Sequence, residues 1–130
     1  MTIQQLIEVF LKGRLIIVGE YRASRAEKTG FVDRKTGEAI QFIRAVHVIE
    51  RELDGKVDRT VVYQRLPETV ETPEEAVFPY VKGELYAFFV ESVQWDRGQV
   101  IGRMGSDPIE RVETEDEGRS AVTDAPQARP

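Results

Sequence analysis

The stretch AIQFIRAVHVIERELDGKVDRTVVYQRL, residues 39–66, contains two strand-like runs that meet at a tight turn. Both runs are rich in β-branched and aromatic residues, which favour extended backbone. Asp54 and Gly55 separate the runs, and an Asp-Gly pair in this place is typical of a two-residue hairpin turn. Pro67 ends the second run, because proline has no N–H to donate to a sheet ladder. We therefore predict an antiparallel hairpin.

A further strand-like run precedes this hairpin. It is RLIIVGEYRASR, residues 14–25, in which Gly19 marks a bulge or a sharp bend. The polar residues 26–38 follow, and residues 33–37 within them have the composition of a turn, with Gly37 at its end. We expect residues 26–38 to form either a protruding β-hairpin or a long loop.

Two more strands are predicted after the hairpin. GELYAFFVESVQ, residues 83–94, is almost continuously apolar, which indicates burial on both faces or at an interface. Asp96, Arg97 and Gly98 turn the chain into a last strand at residues 99–104.

Two short helical segments complete the pattern. Residues 3–12 place apolar side chains at helical spacing, between a T-x-x-Q capping box that begins at Thr2 and a left-handed stop at Gly13. Ten residues are marginal as an isolated helix, so this helix packs either on its own domain or on a second subunit. A second helix is predicted at residues 72–80, where Thr-Pro-Glu-Glu combines an N-cap with a proline at the first helical position.

The order of these elements predicts a mainly β fold. Three successive strands, a short helix and a closing hairpin give β1-β2-β3-α-β4-β5, the order of a five-stranded OB-fold barrel, here with an N-terminal helix. We place this domain at residues 1–106. Periodicity ends there, and residues 107–130 hold seven acidic groups against three arginines, so we predict an acidic disordered tail at 107–130.

Composition limits the functions to consider. The formal net charge is −5, but residues 1–106 hold 15 basic and 16 acidic groups, so the acidity is concentrated in the tail. The absence of cysteine excludes disulfides, thiolate metal sites and cysteine nucleophiles. No apolar run is long enough for a membrane span and the N-terminus does not resemble a secretory signal, so we expect a cytoplasmic protein.

Motifs for catalysis are missing from the sequence. The single histidine, His47, lies in the middle of a predicted strand without a partner at a motif spacing, which is typical of a packed or surface strand histidine. The acidic cluster at residues 113–117 lacks the glycine and the ligand spacing of a calcium loop. We therefore expect no enzyme activity, no metal and no cofactor.

Binding of single-stranded nucleic acid requires cations along the phosphates and aromatic faces that stack on bases. Such side chains alternate along the first three strands, the intervening hairpin and the last turn: Tyr21, Arg22, Arg25, Lys28, Phe31, Arg34, Lys35, Arg44, Arg59, Tyr63, Arg65 and Trp95. Strand period two places Arg59, Tyr63 and Arg65 on one face.

Each member of this set also has a purely structural interpretation. Phe42 has aliphatic neighbours and is more typical of a core. Arg44 and Arg65 are suited to cross-strand ion pairs with Glu20, Glu50 or Glu52. Phe31 is the strongest stacking candidate, because its polar, basic hairpin offers little core to bury a ring.

The runs RLIIVGEYRASR, FVDRKTGEAIQFIRAVHVIE and KGELYAFFVESVQWDRGQVIGR, followed by the acidic tail, resemble small OB-fold single-stranded DNA-binding proteins of phages, plasmids and bacteria. The resemblance covers residues 13–105 without a diagnostic motif. It implies sequence-independent binding of single strands, a homodimer or homotetramer, and a role in DNA replication or repair. The tail ends in Ala-Arg-Pro and lacks the apolar tip that partners of the bacterial proteins bind, which argues against tail-mediated recruitment.

The sequence thus predicts a single-stranded DNA-binding protein, with two alternatives. One is an OB-like interaction or oligomerisation module that uses helix 3–12 and the apolar residues 85–90 and binds no nucleic acid. The other is an RNA-binding OB domain, because no base-specific motif distinguishes DNA from RNA.

Overall fold

A closed barrel of five strands, with one helix packed on its outside, is formed by residues 1–114, the part of the chain that the computed structural model describes. Most of the predicted tail, residues 115–130, lies outside the described residues. The elements have the following bounds: α1 Ile3–Leu11, β1 Leu15–Val32, β2 Ala39–Leu53, β3 Lys56–Arg65, a 3-10 turn Pro73–Glu75, β4 Leu85–Asp96, β5 Gln99–Met104 and β6 Glu110–Arg111.

The strands close into a ring of mixed orientation. The pairs β1–β2, β2–β3, β4–β5 and β1–β4 are antiparallel, whereas β3 and β5 run parallel. The ring therefore has the order β1-β2-β3-β5-β4 and returns to β1. A mainly β fold with a five-stranded barrel and an N-terminal helix is confirmed.

Strand β1 belongs to the barrel in its first part and to a projecting arm in its second. Residues 15–20 pair with β4, and residues 23–32 pair only with β2. A register shift between Tyr21 and Ala23 separates the two parts. The arm ends in a turn in which Gly37 has a φ of +74°, a left-handed conformation that glycine adopts without a steric penalty. Of the two expectations for residues 26–38, the protruding hairpin is therefore correct.

The barrel interior holds the larger of two apolar cores. Its buried side chains come from all five strands: Ile17, Tyr21, Ile49, Val62, Tyr86, Phe88, Val90 and Met104. Gly102 lies at a point of close approach, where a Cβ atom would stand 2.6 Å from Cδ1 of Ile17. A side chain at this position would collide with the core.

A second core joins α1 and β6 to the outside of β4. Leu6 of α1 packs with Ala87, Phe89 and Val112. Residues 86–90 of β4 are therefore buried on both faces, which explains the continuous apolar sequence of that part of the strand. The predicted capping box is present, since Thr2 Oγ1 accepts from Gln5 N at 3.1 Å and Gln5 Oε1 accepts from Thr2 N at 2.8 Å. No helix within residues 1–114 is long and apolar enough to cross a membrane.

Two predicted boundaries are wrong. Residues 107–114 do not belong to a disordered tail, because β6 pairs with β4 and Val112 is buried. The predicted helix at residues 72–80 is only the 3-10 turn Pro73–Glu75. Thr72 makes no side-chain capping bond and Ala76 is already extended, with a ψ of 135°. Beyond this turn, the rings of Phe78 and Tyr80 contact His47 of the barrel interior.

Candidate nucleic-acid interface

Along β2 and β3, successive side chains alternate between a face directed into the barrel and an outer face. Ala45 and Ile49 on β2, with Val62 on β3, have no exposed surface and face the interior. Side chains of opposite parity therefore lie outside. The predicted common face of Arg59, Tyr63 and Arg65 is confirmed and is the outer face of β3.

Cations and aromatic rings alternate on this outer surface. We use the name outer strip for the side chains that β1, β2, β3 and β5 contribute to it: Phe31, Phe42, Arg44, Tyr63, Arg65 and Arg103. The strip crosses the strands, so its side chains come from distant parts of the sequence.

Every member of the outer strip contacts a ring or contributes one. The rings of Phe31 and Phe42 meet edge to face, with centroids 6.2 Å apart. The guanidinium of Arg65 lies over Phe42, 4.5 Å from the ring centroid. On the neighbouring ring, Tyr63, the guanidinium of Arg44 lies at 4.0 Å and that of Arg103 at 5.2 Å. Contacts of this kind stabilise a cation over a ring by about 0.5–2 kcal/mol, depending on desolvation.

The register places like charges side by side in the outer strip. Arg44 of β2 is directly opposite Arg65 of β3, a cross-strand arrangement that is unfavourable for two cations. Each of the two guanidinium groups lies instead over an aromatic ring, which partly offsets the repulsion. A sheet that concentrates arginines in this way has surface suited to an anionic ligand.

Two exposed regions extend the outer strip. The turn at the tip of the arm carries Arg34 and Lys35, both exposed. At the opposite end, Trp95 is 73% exposed and lines a shallow cleft with Tyr63 and Arg103. Of the predicted stacking rings, Phe31 and Tyr63 therefore lie on the outer face, and Trp95 lines the adjoining cleft from the β4–β5 hairpin.

Four of the predicted cations are not neutralised by ion pairs within residues 1–114: Lys28, Arg34, Lys35 and Arg65. Lys28 and Arg65 also line a cleft beside Phe42. Two others share one acid, because Glu27 accepts from Arg44 at 3.2 Å and from Arg25 at 3.5 Å. The cross-strand partner of Arg44 is therefore Glu27 of β1, and not Glu20, Glu50 or Glu52 as predicted.

The structure separates Arg22 and Arg59 from the outer strip. Both pair with Glu50, Arg59 at 3.8 Å, and Arg22 also pairs with Glu20 at 3.3 Å. Glu50 is six residues along β2 from Arg44, roughly 20 Å in an extended strand. These two arginines therefore form a separate, internally neutralised cluster.

Tyr21 does not present a ring to the surface, contrary to prediction. Its side chain is 6% exposed and belongs to the barrel core. Its hydroxyl donates to Ser24 Oγ at 2.7 Å. The ring is thus unable to stack on a ligand outside the barrel.

His47 is a packed strand histidine, as predicted, and it has partners on both ring nitrogens. Gln64 Oε1, which can only accept, lies 2.8 Å from Nε2, so Nε2 carries the proton. Nδ1 therefore accepts from Ser24 Oγ at 2.6 Å. Burial lowers the pKa of His47, and the hydrogen bond with Gln64 opposes this only partly. The imidazole is therefore held neutral inside the barrel.

Two members of the outer strip, Phe42 and Arg103, were not predicted from the sequence as binding residues. Phe42 was assigned to the core because of its aliphatic neighbours, although it shares the parity of Arg44, which indicates the outer face. Arg103 lies beside Tyr63 because β3 pairs in parallel with β5, and no local sequence pattern predicts that pairing.

Groups of histidine or acidic side chains able to hold a metal ion do not occur within residues 1–114. No model of a known protein family matches the chain, and no curated protein matches it either.

Proposed function

We propose that this chain is a non-enzymatic single-stranded DNA-binding protein with an OB-type barrel, and that the outer strip is its binding surface. The observation that carries this proposal is the alternation of three rings with three guanidinium groups on one exposed face. Aromatic faces and cations are the two components that single-strand binding requires.

The architecture supports the OB-type assignment. The ring order β1-β2-β3-β5-β4 agrees with a five-stranded barrel of that class, with the 3-10 turn in the place of the expected helix. OB barrels bind oligonucleotides on the face of strands two and three and with the loops that join strands one to two and four to five. In this chain the first loop carries Arg34 and Lys35, and Trp95 precedes the second.

In the proposed mechanism, cationic side chains bind the phosphates and aromatic side chains stack on the bases. Lys28, Arg34, Lys35 and Arg65 neutralise phosphates, and the release of counterions that follows makes binding sensitive to salt. Phe31 and Trp95 offer exposed rings to the bases. Because every base has a π face, such stacking does not select a sequence.

The proposal also includes the oligomeric state of the protein, its compartment and the process in which it acts. A nearly neutral body binds a polyanion weakly with one subunit, so we propose a homo-oligomer whose subunits share one strand in the cytoplasm, in DNA replication or repair. An RNA strand would satisfy the same rings and cations, so RNA competition belongs in the test.

A fluorescence anisotropy titration with a labelled oligo-dT of roughly 16 nucleotides tests the proposal. At low salt we expect a Kd in the range of about 1–100 μM or tighter, which weakens steadily as salt is added. No binding up to about 100 μM would overturn it. Competition with oligo-U of equal length reports the preference for DNA or RNA.

One observation favours a second function, that of an interaction module. The side of α1 away from the barrel exposes Ile3, Ile7, Phe10 and Leu11, of which Phe10 is 60% exposed. Phe10→Glu separates the two functions. It would abolish self-association through α1, whereas each monomer should still bind oligo-dT through the outer strip. The other predicted element of such an interface, residues 85–90, is covered by the chain itself.

A further inference from the structure

We infer that Glu27 occupies the place of a DNA phosphate in the free protein, and that the Glu27–Arg44 pair must open when a strand binds. This inference rests on the proposed function, since it concerns the regulation of the same site. It makes Glu27 a residue that limits affinity, although it is an acid within a binding surface for an anion.

The geometry places Glu27 at the centre of a small cation cluster. Glu27 of β1 is directly opposite Arg44 of β2 in the antiparallel register. Its two carboxylate oxygens serve different arginines: Oε2 accepts from Arg44 Nη2 at 3.2 Å and Oε1 accepts from Arg25 Nη2 at 3.5 Å. A carboxylate and a phosphate offer guanidinium groups the same kind of paired oxygen acceptors. Glu27 therefore satisfies two cations that a phosphate would otherwise bind.

The same pair keeps an aromatic face covered. The guanidinium held by Glu27 is the one that lies over Tyr63, 4.0 Å from the ring centroid. While Arg44 stays there, a base cannot reach that face of the ring. Release of Arg44 from Glu27 would thus provide a cation for a phosphate and a ring for a base in one movement.

The closed arrangement is weak enough to be displaced. The side chains of Arg44 and Glu27 are 25% and 34% exposed, so water screens their attraction. Arg44 Nε is also buried without a hydrogen-bond partner, which leaves the guanidinium incompletely satisfied in this conformation. A backbone phosphodiester carries one negative charge and two non-bridging oxygens, as the carboxylate does, so it can replace Glu27 without a loss of acceptors.

Glu27→Gln tests the inference against Glu38→Gln as the matched control. Glu38 lies on the same arm, is exposed, and forms no ion pair within residues 1–114, so both substitutions change the net charge equally. Both proteins are titrated with oligo-dT at the same low salt. We expect Glu27→Gln to bind roughly two- to fivefold more tightly than Glu38→Gln, the effect typical of a partly exposed ion pair.

The same pair of substitutions in an Arg44→Gln background completes the test. Without Arg44 only the longer contact of Glu27 with Arg25, at 3.5 Å, remains, so the advantage of Glu27→Gln over Glu38→Gln should fall towards onefold. If the advantage persists there, or is absent in the first comparison, the inference is wrong while the proposed function stands. If the wild-type protein does not bind oligo-dT at all, the proposed function fails first.

Discussion

Phe31 is an exposed ring at a position where a folded chain has no structural need for one. Half of its surface is accessible, and its only ring contact within residues 1–114 is with the edge of Phe42. Its neighbour Val32 is 63% exposed and lies on the other face of the arm. The two residues therefore form a matched pair in which only one belongs to the outer strip.

We expect Phe31→Ala to weaken binding of oligo-dT by at least about fivefold, because a stacked base contributes roughly 1–3 kcal/mol. Val32→Ala should leave the affinity within about twofold, a change typical of a residue outside the interface. Both variants should keep the melting temperature of the wild-type protein, since neither side chain is buried. Equal losses of affinity in the two variants would show that Phe31 does not contact the strand.

Period-two reasoning from the sequence succeeded for β3, but no single alternation holds along β1, because one residue reverses it. Before the register shift at Arg22 the odd-numbered residues, such as Tyr21, face the barrel interior. After the shift the odd-numbered residues, such as Phe31, face outward. A β-bulge reverses the alternation of a strand, and nothing local in the sequence marks this one unambiguously. Gly19, the position predicted for it, instead lies where a Cβ atom would be 2.9 Å from Ile49 Cδ1.

At the scale of elements, the segment between β3 and β4 closes one end of the barrel with rings. Phe78 and Tyr80 each meet the imidazole of His47 edge to face, with centroids 5.7 Å away in both cases. Burial, followed by the neighbouring hydroxyls of Tyr21 and Tyr86, raises the pKa of Tyr80, so this phenol also stays neutral. The sequence predicted a helix here because it contains a Thr-Pro start signal. It could not show that the rings would have better partners inside the barrel.

The depressed pKa of His47 predicts how stability depends on pH. In the unfolded chain the imidazole takes up a proton near its ordinary pKa of 6.5, whereas the folded chain resists protonation because the ring is buried. The contribution of the neutral, buried His47 to the free energy of unfolding is therefore fully present above about pH 6.5. It is lost as the pH falls below that value, by at most about 1.4 kcal/mol per pH unit.

Chemical denaturation at pH 7 and pH 5 measures this effect. We expect the free energy of unfolding of the wild-type protein to fall more steeply over this range than that of His47→Phe. The variant loses the bonds to Ser24 and Gln64, so its stability at pH 7 is lower, but the comparison uses only the change with pH. Parallel pH dependences would show that His47 is protonated in the folded state as readily as in the unfolded chain.

At the scale of the whole molecule, the order of strands along the sequence was sufficient to predict a five-stranded barrel with an outer helix. It did not reveal the parallel pairing of β3 with β5, which depends on contacts between residues about 40 positions apart and brings Arg103 to Tyr63. The formal net charge of −5 does not indicate whether the protein binds DNA either. Cations concentrated in the outer strip and at the tip of the arm create a local field that the total charge conceals.

Ultraviolet crosslinking of the full chain to oligo-dT, with the crosslinked peptides identified by mass spectrometry, tests the central claim most directly. The account predicts crosslinks at the rings of the outer strip, Phe31, Phe42 and Tyr63, and at Trp95 in the adjoining cleft. Phe10 on α1 serves as an internal reference, because its side chain is 60% exposed, between Phe31 at 50% and Trp95 at 73%, but lies on a different element. Crosslinks confined to α1, or distributed without regard to the outer strip, would contradict the account.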